Sequence, residues 1–223
     1  MINQAVKTWN RDGGPTLQGV ALNTAKPYST AFGTSKKTGK NLWELSSEVL
    51  PDPNNKETRQ ALDIALYQWL LTNPLQNTLP VDNIPFLTGF QFNEAFTLNE
   101  MGKALIAVNR NHDNKLQVSL EAFNPAKDIL APINAQSITF KILTTSYNIE
   151  EGRKNERALA IAEFSTKDDL TTARQIQIPF AAKKGDITIV TLAIEYTIVS
   201  DGVVKTVNDL RWMPSGIIWS GYN

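Results

Sequence analysis

The sequence predicts a mainly-β protein: an antiparallel β-sandwich with one amphipathic helix and an extended N-terminal arm. Three observations favour this fold class. From about residue 86 onward, apolar and polar residues alternate with period two in short stretches, as in half-buried strands. Turn-forming residues separate these stretches, and no strand-helix alternation suggests a doubly wound fold. We therefore divide the chain into an arm (1–50), a helix with a proline-rich connector (51–85) and a sandwich (86–223).

The arm is rich in Gly, Thr, Ser, Lys and Asn and has weak periodicity. Because turn-forming residues dominate, we expect an irregular segment or a few edge strands. Short extended pieces are expected around residues 17–22 and 42–49. An arm of this length is costly to order alone, so we expect it to pack on its own sandwich or on a neighbouring subunit.

Within the arm, residues 33–41 read GTSKKTGKN, which resembles a phosphate-binding loop in its last glycine and lysine. That loop needs four residues between its glycines and a Ser or Thr after the lysine. Here five residues separate the glycines, and Asn41 takes the hydroxyl position. We interpret the stretch as a flexible basic loop whose solvated lysines, Lys36, Lys37 and Lys40, are candidate interaction residues.

The segment PDPNNKETRQALDIALYQWLLTNP, residues 51–74, is the one clear helix. Asn54 or Asn55 can cap its first turn, and Asn73 before Pro74 ends it. Apolar residues recur at helical spacing on one face, which predicts packing against the core: Leu62, Ala65, Leu66, Trp69 and Leu70.

Strands are predicted at 103–109, 116–123, 138–142, 159–161, 176–178, 187–199, 203–207 and 216–220. The stretch 187–199 is apolar on both faces, which predicts a central strand, and Ser200-Asp201-Gly202 predicts a hairpin turn after it. Regularly spaced short strands of this kind are typical of an immunoglobulin-like or fibronectin-like sandwich.

Residues 84–142 resemble a segment that recurs in uncharacterised proteins of Bacteroidetes. The shared features are Gly89-Phe90-Gln91-Phe92-Asn93, then Phe123-Asn124-Pro125, then Ala131-Pro132. The resemblance implies a β-rich fold and a bacterial or phage source, and it carries no functional residue. Independently of it, the close spacing of Phe86, Phe90, Phe92 and Phe96 predicts a core plug or a hydrophobic lid on the sandwich.

Bulk properties exclude several classes of function. Lys plus Arg total 22 and Asp plus Glu total 22, so nothing supports a general nucleic-acid binder. The chain has no cysteine, which excludes disulfides, thiolate nucleophiles and cysteine zinc sites. No apolar run predicts a signal peptide or a membrane span. We expect a protein made in the cytoplasm; the sequence leaves its final location open, with association with a particle or release as alternatives.

The sequence offers few catalytic candidates. The single histidine, His112, lies beside Asp113 in a polar turn, where a surface residue is expected. Glu121, Glu163 and Glu195 lie in predicted strands and could support acid/base hydrolysis. Neither STKDDLTT nor NRNHDNK fits a calcium loop. We predict no cofactor and no metal.

The aromatic C-terminus supplies the remaining candidates: Trp212, Trp219 and Tyr222. The favoured interpretation is that they fold over one end of the sheet. If exposed, they could instead stack on sugars or anchor a protein, and the last strand could pair in trans at a sheet edge. The favoured function is a non-enzymatic structural or interaction protein that assembles with itself or with a larger particle. The alternatives are a carbohydrate-binding module and a hydrolase that uses the strand carboxylates.

Overall fold

The computed structural model describes residues 8–9, 15–16, 21–73, 80–101, 106–111, 115–155, 157–181 and 183–223, with the backbone alone for 8–9, 15–16, 21–29 and 179–181. His112 lies outside the described residues. In chain order the elements are β1 (Thr8–Trp9), β2 (Pro15–Thr16), α1 (Ala21–Leu45), α2 (Lys56–Thr72), β3 (Val81–Asp82), α3 (Leu98–Met101), β4 (Ile106–Arg110), β5 (Lys115–Leu120), α4 (Pro125–Asp128), β6 (Ala135–Asn148), β7 (Arg153–Lys154), β8 (Ala158–Ser165), β9 (Arg174–Ala181), β10 (Asp186–Ser200), β11 (Val203–Thr206) and β12 (Ser215–Tyr222).

The strands confirm the predicted mainly-β antiparallel class. A large sheet has the order β3-β12-β10-β6-β7, with β11 paired to β10 and β8 paired to β6. A small sheet has the order β4-β5-β9. Strand β10 is central, as its two apolar faces predict, and it pairs with β6 from Asp186 opposite Asn148 to Ile198 opposite Ala135.

One face of the large sheet, here the inner face, packs on the small sheet. Ile138, Phe140 and Ile142 lie on this face and are fully buried, as their alternation predicts. They share a core with Leu116 and Val118 of the small sheet. The two sheets therefore enclose one hydrophobic layer, as in a sandwich.

The opposite face of the large sheet, here the outer face, is half covered by α1 and α2. Leu66 and Trp69 of α2 are buried in one cluster with Ile187 and Ile189 of β10. A β-bulge in β12 interrupts its pairing with β10 between Val190 and Thr191. Because of the bulge, Ile217 and Trp219 point to opposite faces of the sheet. Ile217 packs in the cluster with α1 and α2, here called the helical core, and Trp219 packs in the cluster between the two sheets, here called the inner core.

Helix α2 forms where the sequence predicts it. The Asn55 side chain accepts a hydrogen bond from the Thr58 backbone N–H at 3.0 Å, which caps the first turn. Asn73 ends the helix with its own N–H bonded to the Trp69 carbonyl. The hairpin turn after β10 is also confirmed: Asp201 and Gly202 adopt φ values of 56° and 75°.

The expected irregular arm is wrong over residues 21–45, which form the 25-residue helix α1. From residue 30 onward, where burial is described, its buried residues recur at helical spacing, but most are small or polar: Ser35, Thr38, Gly39, Leu42 and Trp43. The extended piece expected at 42–49 is the end of this helix and a 3-10 turn, Ser47–Val49. Large apolar residues are too few on this helix to give a helical signal in the sequence.

The predicted phenylalanine plug is only partly correct. Phe92 and Phe96 are buried, but Phe92 lies in the helical core and Phe96 in the inner core. Phe90 is half-buried, and Phe86 is 58% exposed. The segment passes around the edge of the large sheet from one face to the other, so these side chains pack in two different cores.

Candidate functional site

Beyond the helices, the outer face of the large sheet is open to solvent on four adjacent strands, β11, β10, β6 and β8. Strand register and period-two alternation place the same face of these strands together. We call this surface the open face and define it by six residues: Lys141, Leu159, Ile161, Glu195, Val199 and Val204. Its four aliphatic side chains are 43% (Leu159), 60% (Ile161), 45% (Val199) and 68% (Val204) exposed.

Strand β8 presents two of its large apolar side chains to solvent. Its alternation predicts a half-buried strand, and Leu159 and Ile161 lie on the open face. On the other face, the residues that contact the inner core are Ala158, Ala160, Ala162 and, near the end of the strand, Phe164. Burying a leucine or isoleucine fully contributes about 1.5–3 kcal/mol to the free energy of unfolding. In the isolated chain, Leu159 and Ile161 supply only part of that contribution.

The centre of the open face is polar, and Lys141 and Glu195 pair there. Lys141 Nζ lies 2.5 Å from Glu195 Oε1, and both side chains are only partly exposed. Nearby, Ser137 Oγ and Thr197 Oγ1 share a hydrogen bond at 2.7 Å. The centre is thus a paired ionic group between two aliphatic patches.

Two of the three candidate hydrolase carboxylates lie in one row of the sheet. Glu163 and Glu195 are both paired in register with Thr139, on either side of it. Glu121 follows β5 in the small sheet. Glu195 is bound by Lys141, and both carboxylates lie on an open sheet face rather than in a cleft. This geometry offers no enclosed site for the substrate of a hydrolase.

The C-terminal aromatics do not form an exposed platform. Trp219 and Tyr222 are each 2% exposed, so neither ring is available to stack on a sugar. The Arg110 guanidinium carbon lies 5.3 Å from the centre of the Trp219 ring and covers it. Burial, together with a hydrogen bond to Glu150, raises the pKa of Tyr222 to about 12. Trp212 is half-buried and packs edge-on against Phe96.

The edge of β12 is covered within the chain, so the predicted pairing of this strand in trans is wrong. The N–H groups of Asn83, Gly89 and Phe92 donate to carbonyls of β12 at 2.6, 2.8 and 2.7 Å. Ile217 N–H donates in return to the Phe90 carbonyl at 2.8 Å. Residues 81–92 therefore occupy the position that a partner strand would need.

The three candidate lysines lie on helix α1, so the predicted flexible loop is wrong. The stretch that resembles a phosphate-binding loop is helical as well. Lys36 Nζ binds Asp63 of α2 at 3.0 Å. Lys40 Nζ lies 3.9 Å from Glu44 one turn away. Lys37 extends to the turn at Gly152, where an added Cβ would meet its Nζ at 2.6 Å. The lysines thus point to different neighbours.

A small cleft of about 220 Å³ lies beside the start of α2. Asp52, Glu57 and Glu94 line it. Across the described part of the chain, no group of three or more His, Asp or Glu side chains is arranged to hold a metal ion. Among the helices that the structure describes, none is both long and apolar enough to cross a membrane.

Sequence reasoning missed the open face because alternation identifies two faces of a strand without saying which one is buried. The available signal was the composition of β8, where alanine occupies three of the four positions on the other face and Phe164 the fourth. Comparison with protein-family models, with curated proteins and with solved structures gives no match for this chain. The open face is therefore interpreted from its own chemistry.

Proposed function

We propose that the protein is a non-enzymatic structural subunit that associates with further copies of itself through the open face. The observation that carries this proposal is the orientation of β8: Leu159 and Ile161 lie outside, while Ala158, Ala160 and Ala162 beside them lie inside with Phe164. In a monomer this orientation lowers stability, whereas in an assembly it supplies buried apolar area. The balanced formal charge, 22 basic against 22 acidic residues, gives little repulsion between copies.

The arrangement of groups on the open face suits a second copy. Leu159 and Ile161 lie at one corner, and Val199 and Val204 lie at the diagonally opposite corner, according to strand register. Two copies related by a two-fold axis that lies in the interface, perpendicular to this diagonal, would place one corner over the other. Lys141 would then lie near Glu195 of the second copy.

The expected affinity is low. Each aliphatic side chain of the open face is about half exposed, so its burial contributes roughly 1 kcal/mol. Two copies together bury eight such side chains, which is on the order of 8 kcal/mol, against an association cost of roughly 4–15 kcal/mol. Because these terms are comparable, we expect association that depends strongly on protein concentration.

Light scattering over a concentration series tests the proposal, with two variants that make the same chemical change. Leu159→Lys introduces a charge on the open face, while Leu170→Lys introduces it at a leucine that is 69% exposed in the loop after β8. We expect the average mass of wild type and Leu170→Lys to rise with concentration, and that of Leu159→Lys to rise less. A wild-type mass that stays at the monomer value throughout would overturn the proposal.

A further inference from the structure

Strand β8 lies at one edge of the large sheet. It pairs with β6 on one side, and no described strand pairs with its other side. Ala158 and Ala160 pack toward the inner core but stay half-buried, as expected where a sheet ends. Near the C-terminal end of β8, the Arg174 guanidinium carbon of β9 lies 5.0 Å from the centre of the Phe164 ring. We call the stretch before this contact, residues 157–163, the β8 edge.

The backbone of the β8 edge points away from β6 at alternate residues. Thr166 N–H donates to the Gln136 carbonyl of β6 at 3.1 Å, one step beyond the pair of Ser165 and Ser137. Hydrogen bonds alternate along an antiparallel pair, so the even-numbered residues of β8 bond to β6. The odd-numbered residues therefore direct their N–H and C=O groups to the side where no described strand lies.

The β8 edge lacks the features that normally keep sheet edges apart. Natural edge strands are very short, or carry lysine, proline or a bulge. Strand β8 has eight residues, ALAIAEFS, with no lysine, proline or glycine, and its pairing with β6 continues without a bulge. The other long edge, at β12, is covered by residues 81–92 of the same chain. Strand β8 is thus suited to binding a further strand.

The side chains of the β8 edge are complementary to a second copy of the same edge. In an antiparallel pair centred on Ala160, Leu159 of one copy lies opposite Ile161 of the other, and Arg157 lies opposite Glu163. This pair also sets odd-numbered residues opposite odd-numbered residues, as the backbone requires. A pair centred on Ile161 would instead put Leu159 opposite Glu163. The register centred on Ala160 therefore matches both the apolar and the charged side chains.

The two charged residues are able to make this contact. Glu163 is exposed, and none of the ion pairs between described residues involves it. Arg157 Nη2 binds Glu48 Oε1 at 2.5 Å, which leaves the other N–H groups of the guanidinium for a second carboxylate. Within one chain, Arg157 and Glu163 are separated by about 20 Å along the strand, so they cannot pair with each other.

We infer that the β8 edge pairs antiparallel with the β8 edge of a second copy, joining two large sheets into one. A two-fold axis passes beside Ala160, and four odd-numbered residues of each copy form about eight backbone hydrogen bonds. These bonds, rather than buried area, supply the affinity, as in other cases of strand addition. The contact is separate from the face-to-face contact proposed above. It extends the open face, because Leu159 and Ile161 of both copies then lie side by side.

Disulfide cross-linking of the full chain tests the inference, since the chain contains no cysteine. Ala160→Cys places two thiols directly opposite each other, at a Cα separation that a disulfide can span. Ala158→Cys is the matched control, because its two thiols would be about 13 Å apart along the strands. We expect a linked dimer for Ala160→Cys alone. Residue 160 faces the inner core, so contact through the open face cannot join these thiols.

Exchange of the two charges tests the register. In the Ala160→Cys background, Arg157→Glu and Glu163→Arg each set like charges opposite each other, which should lower cross-linking about tenfold. An equal mixture of the two variants should regain it, because every mixed pair again sets an acid opposite a base. Glu48→Gln removes the partner of Arg157 within the chain and should not lower cross-linking. A mixture that links no better than either variant would overturn the register.

The outcomes separate this inference from the proposed function. If the wild-type mass rises with concentration but Ala160→Cys links no more than Ala158→Cys, the edge contact is wrong and the proposed function stands. If Ala160→Cys links selectively while Val204→Lys, on the open face away from β8, gains mass as wild type does, the edge contact is right and the open-face contact is wrong. Sedimentation velocity of the charge variants without the cysteine gives a second measurement, and circular dichroism checks that each variant is folded.

Discussion

Gly39 marks the closest approach of α1 to α2. A Cβ built at this position would lie 2.0 Å from Asp63 Oδ1 and 3.1 Å from its carboxyl carbon. Asp63 cannot easily turn away, because it is buried and holds Lys36. The glycine therefore sets the distance between the two helices that cover the sheet.

Gly39→Ala should lower the free energy of unfolding by about 1–3 kcal/mol, because the helices must separate to admit the methyl group. Gly33→Ala is the matched control on the same helix, since an added Cβ there meets nothing within 4 Å. It should raise stability by about 0.5–1 kcal/mol through helix propensity. Chemical denaturation measures both changes, and equal shifts in the two variants would contradict the close contact.

Tyr222 links stability to high pH. Its pKa is raised to about 12, first by burial and then by its hydrogen bond to Glu150. A raised pKa in the folded state means that the stabilising contribution is complete below the unfolded pKa of about 10, and is lost as pH rises toward 12. Tyr222→Phe keeps the ring against Trp69 but cannot ionise, so its melting temperature should fall less steeply between pH 10 and 12. Identical slopes for the two proteins would contradict this coupling.

At the scale of elements, α1 packs on the sheet through an unusually polar layer. Thr38 Oγ1 on the helix, Ser46 Oγ directly after it, and Thr145 Oγ1 and Thr191 Oγ1 on the sheet are buried without a hydrogen-bond partner among the described residues. Leu42 and Trp43 supply the large apolar contacts, toward the C-terminal end of the helix. Within residues 30–45, the apolar contacts of α1 are therefore strongest near its C-terminal end.

Thr38→Val should raise the free energy of unfolding by roughly 1 kcal/mol, because it replaces an unbonded buried hydroxyl with a methyl group of similar size. Thr34→Val, at a half-buried position of the same helix, controls for the change in helix propensity and should have little effect. Thermal unfolding of both variants checks the difference. A loss of stability in Thr38→Val would show instead that the hydroxyl is satisfied in solution.

The elements that the sequence predicts well are those whose buried sides are apolar. Strand β6 and helix α2 carry their alternation and helical spacing in large residues. The sequence therefore predicts α2 at close to its observed bounds, and the strand predicted at 138–142 lies within the longer β6. Helix α1 was missed because Ser35, Thr38 and Gly39 occupy its buried side. The orientation of β8 was missed because either side of its alternation could face the core, and strand pairing decides which one does.

At the scale of the whole molecule, the sandwich leaves one surface that is more apolar than a monomer requires. This open face lies on the sheet beyond the helices. Spacing along the chain does not reveal it, since strand pairing alone joins residues 141, 159–161, 195–199 and 204. On this basis we propose a protein that works as part of an assembly.

Sedimentation equilibrium of the unmodified chain tests that central claim most directly. Across concentrations from micromolar to millimolar, the account predicts an average mass that rises above the monomer. A mass that stays at the monomer value over the whole range would contradict it.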